Sequence, residues 1–166
     1  MSFEDSGDVV VDGLRIPTRL VTLVKRGLWP RTRAEELKQN LKCLVPEDRI
    51  RLIAPEQNEI YFVRPPFVTV AHLISKGDQF WSKFGVPEGM SPQLSVFIGS
   101  FGLGSDAPIL LDYRDNRSNP AVIRLKWNYG TGSGNVWMRC ANSFDEFADL
   151  LKLDSPGASS AESSTA

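Results

Sequence analysis

Four short runs in the second half of the chain alternate apolar and polar side chains with a period of two. In residues 94–98, Leu94, Val96 and Ile98 share one side. In residues 109–114, Ile109, Leu111 and Tyr113 oppose Leu110, Asp112 and Arg114. In residues 122–127, Ile123, Leu125 and Trp127 oppose Arg124 and Lys126, and in residues 136–140, Val136, Met138 and Cys140 oppose Trp137 and Arg139. Successive side chains of a strand point to opposite faces, so this period predicts strands. The turn-rich stretches between them are too short for a parallel crossover of about a dozen residues or more, which predicts antiparallel neighbours. The polar alternate positions predict a sheet with one wet face.

A helix closes this region. Ser143 followed by Glu146 forms a capping box, with Asp145, Glu146 and Asp149 near the positive end of the helix dipole. Phe144, Phe147, Leu150 and Leu151 form its apolar stripe. The first half reads helical. Pro17 suits a first helical position ahead of Leu20, Val21, Leu23 and Val24, and Gly27 and Pro30 end that helix. Thr32 and Glu35 make a second capping box, followed by Ala34, Leu37, Leu41 and Leu44 on one predicted inward face, with Pro46 as terminator. A strand over 59–63, the extended Arg64-Pro65-Pro66-Phe67 turn and a short helix over 69–76, capped by Gly77, complete the series. The sum is α+β: a twisted antiparallel sheet of about four to six strands, with helices before it and a C-terminal helix packed on one face.

The 166 residues suit one domain. Residues 1–8 are polar and 154–166 carry no large apolar side chain, so both read as disordered ends around a domain at 9–153, unable to offset their ordering entropy. Net charge is -1, which gives no support to nucleic-acid wrapping. The first third leans basic through Arg15, Arg19, Lys25, Arg26, Arg31, Arg33, Lys38 and Lys42, the pattern of a solvated helix surface. Cys43 and Cys140 lack C-x-x-C spacing and read as free buried thiols in a reducing compartment, with a single disulfide between them as the alternative. The acidic start Glu4-Asp5 is unlike a signal peptide, and no apolar run suits a membrane span, so a cytoplasmic location is expected.

Catalytic patterns fare poorly. His72 is the only histidine, and nothing near it has metal-ligand spacing or the partners of a nucleophilic triad. Gly102–Ala107 spells a dinucleotide fingerprint, but a strand follows it where a helix N-terminus is needed to hold a pyrophosphate, so it reads as a bend. Gly130–Gly134 lacks the lysine of a phosphate loop and reads as a hairpin loop. Asp106, Asp112 and Asp115 form the one carboxylate cluster to weigh for acid–base or metal work. Their interleaving with Arg114 and Arg117 favours an ion-pair network. Trp81, Trp127 and Trp137 read as core or interface anchors rather than base-stacking platforms. No cofactor and no metal is expected.

Residues 98–114 (IGSFGLGSDAPILLDYR), 122–127 (VIRLKW), 135–141 (NVWMRCA) and 143–147 (SFDEF) together resemble the SMI1/KNR4 family, or SUKH superfamily. The resemblance is firm over about 94–151; residues 17–27 are similar to the family's opening helix and 67–74 to its middle helix. It implies an α+β fold and a protein-binding role. Bacterial members resemble immunity proteins that bind and block a toxin domain, often a nuclease or deaminase, and fungal members are regulators in cell-wall signalling. The expectation is a non-catalytic domain that neutralises a toxin by occlusion, through Asp106, Asp112, Arg114, Asp115, Arg117 and Trp137 on the wet face and its loops. The alternatives are an adaptor binding a cellular protein and, behind it, an enzyme built on Asp106, Asp112 and Asp115. Neither nucleic acid nor membrane is an expected partner, and the sequence leaves the oligomeric state open.

Overall fold

The computed structural model describes residues 9–84, 89–102, 107–127 and 135–155. The predicted disorder of 1–8 and of the tail beyond Ser155 lies outside the described residues, as do the tips of both glycine-rich loops. The sheet has five strands in sequential order: β3 (Tyr61–Phe62), β4 (Ser95–Ser100), β5 (Pro108–Asp112), β6 (Ala121–Lys126) and β7 (Val136–Ala141). Every pairing is antiparallel. Phe101 N–H donates to the Ala107 carbonyl, and β4 pairs antiparallel with β5, so strands flank the glycine segment on both sides. The register slips at Phe97/Gly99 and at Val122/Ile123, and each bulge adds local twist.

Apolar side chains cover both faces of the sheet, which overturns the wet face expected from alternation. One face, with Val96, Ile98, Ile109, Leu111, Tyr113 and Val122, lies in the larger core. That core also takes in α1 (Thr18–Lys25), α3 (Glu47–Ile53) and α6 (Phe144–Leu151). The expected C-terminal helix therefore packs on this face, burying Phe144, Phe147, Ala148 and Leu151. The other face presents Leu110, Ile123, Leu125 and Trp137 to Val70 of α4 (Val70–Ser75) and Trp81 of α5 (Gln79–Phe84). All five residues of β5 are buried, as expected for the central strand of a sheet clothed on both sides. Alternation misled because Arg124 and Asp112 are buried polar residues and so do not mark a solvated face.

Several elements escaped the sequence reading. Val10–Val11 (β1) and Leu14–Arg15 (β2) form a hairpin on Asp12 and Gly13, both at positive φ (48° and 81°), the geometry a two-residue Asp-Gly turn favours. Pro46 does not simply stop the second helix; it caps the start of α3. α2 (Arg33–Lys38) is correspondingly short. Both capping boxes form with a variation. Thr32 Oγ1 and Ser143 Oγ accept from the backbone of Glu35 and Glu146, at 3.1 Å each. The glutamates reach one residue further back than the cap, to Arg31 N–H and Asn142 N–H.

Candidate protein-binding surface

The polar end of the sheet was the first place to expect partner contacts, and the structure divides its residues. The Asp112 side chain is 1 % exposed. Its two oxygens accept from Arg114 Nε and a terminal guanidinium nitrogen, both at 2.9 Å. Such a bidentate pair fixes both groups in place. Charge and hydrogen bonds from Asp112 raise the Arg114 pKa against the opposing pull of burial, with the side-chain hydrogen bond the largest contribution. Asp115 is exposed and pairs with Arg139 at 2.8 Å, across from the β5–β6 loop to β7. Arg117 is exposed in that loop, whose turn is held by Asn116 Oδ1 accepting from Ser118 and Asn119 N–H. Trp137 is buried and stacks on Trp81 at 6.2 Å. Asp106 lies outside the described residues. Arg114, Asp115 and Arg117 thus remain as surface groups, whereas Asp112 and Trp137 belong to the interior.

A second buried charge went unnoticed in the sequence. Arg124, in the middle of β6, has a side chain 2 % exposed. It donates to both oxygens of Glu56, at 2.6 and 2.9 Å, and lies 5.7 Å over the Phe101 ring. Its Nε has no partner. Burial alone would raise the Glu56 pKa, but the hydrogen bonds and charge of Arg124 outweigh it and hold the carboxyl below its ordinary range. The pair sits 68 residues apart in sequence, so no local pattern could reveal it.

α2 is rotated relative to its apolar pattern. Ala34, Leu37 and Leu41, expected inward, face solvent, with Leu37 47 % and Leu41 92 % exposed, whereas Leu44 of the same series packs against the core. The opposite side carries the helix's polar residues into the fold. Gln39 is buried, its Nε2 donating to the Phe62 carbonyl at 2.9 Å and its Oε1 accepting from Phe62 N–H at 2.8 Å. Glu36 Oε2 accepts from Arg64 N–H at 2.8 Å, and Trp29 Nε1 donates to the Val63 carbonyl at 2.8 Å. Gln39 satisfies the outer edge of β3 at Phe62, and Glu36 and Trp29 satisfy backbone groups of Arg64 and Val63 just after it, groups that would otherwise be open or buried without partners. The edge's demand for hydrogen bonds fixes which side of α2 faces inward. Leaving a leucine exposed forgoes about 1.5–3 kcal/mol of burial, comparable to the penalty for one orphaned backbone group, so satisfying several such groups outweighs it.

Other reactive groups take structural places. His72 is exposed on α4, and its N–H donates to the Thr69 cap, whose hydroxyl donates to Asp12. Cys43 and Cys140 are free thiols. Burial pushes the Cys140 thiol up to about 12. Among the described residues no three His, Cys, Asp or Glu side chains group as metal ligands, and no helix is long and apolar enough to cross a membrane. Compared with known proteins, the chain matches no family model, no curated sequence and no solved structure.

Proposed function

We propose that this chain is a non-catalytic protein-binding domain that neutralises a bacterial toxin domain by covering a surface the toxin needs. The observation that carries the binding role is the outward placement of Leu37 and Leu41, four residues apart and the latter 92 % exposed, where Val10, Leu52, Val136 and Met138 are the other exposed large apolar side chains among the described residues. Exposed apolar side chains that form a contiguous patch mark contact sites. The toxin as partner comes from the SMI1/KNR4 resemblance of residues 94–151. The engagement of Asp112 by Arg114 and of Asp115 by Arg139 supports a binding domain over an enzyme built on these aspartates. Neutralisation by this route needs a stoichiometric complex. Its affinity rests on a few desolvated anchors, and surface charge sets the rate of encounter.

Co-expression with the toxin encoded beside its gene tests the reading. Rescue of growth, and a one-to-one complex on size-exclusion chromatography, are expected. No rescue from any neighbouring toxin, together with recovery of an unrelated cellular protein in cells lacking a toxin locus, points instead to an adaptor.

A further inference from the structure

The outward side of α2 combines its apolar residues with charge of a single sign. Ala34, Leu37, Lys38 and Leu41 follow the i, i+3, i+4, i+7 spacing of one helical face. α2 ends at Lys38, and Leu41 follows in a tighter turn, in which Gln39, Asn40 and Leu41 N–H donate three residues back and Lys42 N–H donates to the Lys38 carbonyl. Arg33, Lys38 and Lys42 are exposed beside the two leucines. The two carboxylates of the helix are used elsewhere. Glu35 is held by Arg31 at 2.9 Å, and Glu36 is turned to Arg64. Among the described residues Arg33, Lys38 and Lys42 form no ion pair, so the free charges nearest the leucines in sequence are cationic.

We propose that this face docks an acidic, apolar-sided segment of the protein partner, with Leu37 and Leu41 entering its apolar side and Arg33, Lys38 and Lys42 meeting its carboxylates. Charge complementarity selects this occupant. A nucleic-acid backbone would use the cations and gain little from a leucine that is 92 % exposed. A membrane surface calls for a longer amphipathic helix than the six residues of α2. The inference rests on the protein-binding reading and moves its contact surface from the sheet to α2. It also accounts for a helix whose apolar stripe would be wasted if solvent were its only neighbour.

The test uses the full chain and a phage-displayed library of helical peptides of about four turns, with leucines on one side and Asp, Glu, Lys or Ser elsewhere. Selected peptides are expected to be rich in Asp and Glu and to bind more weakly as salt rises. Leu37→Ser with Leu41→Ser, and separately Lys38→Glu with Lys42→Glu, should each weaken binding by about tenfold or more. All four side chains are exposed, so the urea midpoint of both variants should match that of the parent chain. Peptides without acidic bias, or undiminished binding by both variants, overturn the inference. So does the absence of peptide binding alongside Leu41-dependent binding to phosphatidylserine vesicles or single-stranded DNA. The growth-rescue assay separates the two levels. Full rescue by the Leu37→Ser, Leu41→Ser chain removes this surface and leaves toxin neutralisation standing. No rescue by the parent chain removes toxin neutralisation, while the peptide selection still decides the surface.

Discussion

The side-chain amide of Gln39 pairs with both backbone groups of Phe62, donating to its carbonyl at 2.9 Å and accepting from its N–H at 2.8 Å. A glutamine amide carries the same donor and acceptor as a peptide unit. Gln39 therefore stands where a sixth strand would, and it ends the sheet at β3. Gln39→Ala strands both buried groups and should cost on the order of 2–4 kcal/mol, read as a lower urea midpoint. With the β3 edge uncovered, the variant should also aggregate sooner on partial unfolding.

Gly99 holds the same strand from the inner side. It pairs with Phe62 at the β4 bulge, and a Cβ there would lie 2.7 Å from the Tyr61 carbonyl oxygen. Backbone cannot step aside as a flexible side chain can. Gly99→Ala should destabilise by about 1–3 kcal/mol. Because β3 is only two residues long, this change and Gln39→Ala act on one element. Their combined effect in a double-mutant cycle should depart from additivity by about 0.5 kcal/mol or more.

The Arg124–Glu56 pair predicts an asymmetry. Glu56→Gln leaves the buried Arg124 charge without its counter-ion and should cost about 2–3 kcal/mol, toward the low end for a broken buried pair because Glu56 is 39 % exposed. Arg124→Met removes both the buried charge and its unpartnered Nε and should cost less. Equal losses from chemical denaturation would contradict this.

The same pair sets a pH dependence. The folded pKa of Glu56 lies below its ordinary value of 4.5, so the folded state binds its proton less readily than the unfolded state. Its contribution is fully present above that ordinary value and is lost as pH falls through 4.5 to the depressed folded value. Denaturation midpoints measured across that acid range should fall less steeply for Glu56→Gln than for the parent chain.

Asp112 gives a prediction that divides structure from binding. Asp112→Asn keeps the shape but loses the charged bidentate pair with Arg114, and should destabilise by about 1–3 kcal/mol. Partner affinity, measured at a temperature where the variant is folded, should stay unchanged because the side chain does not reach the surface. A selective loss of binding without loss of stability would return Asp112 to the contact surface.

Local patterns in the sequence determined the strands β4 to β7, their antiparallel order and α6 with its Ser143 cap. Each depends on side chains within a few residues of one another, through period two, turn chemistry or capping. The Asp12-Gly13 hairpin was legible in the same way and was missed, as was α3 behind Pro46, which can start a helix as readily as follow one. The candidate site was much less legible. Burial of Trp137 depends on α4 and α5 lying over the second face of the sheet, and that of Asp112 on its place at the end of the central strand, between β4 and β6. The outward turn of Leu37 and Leu41 depends on Phe62, a distant residue whose backbone requires Gln39 as a partner. Periodicity shows which side chains share a face of an element. Which face turns inward is decided in three dimensions, where the hydrogen bonds of a sheet edge outweighed the burial of two leucines.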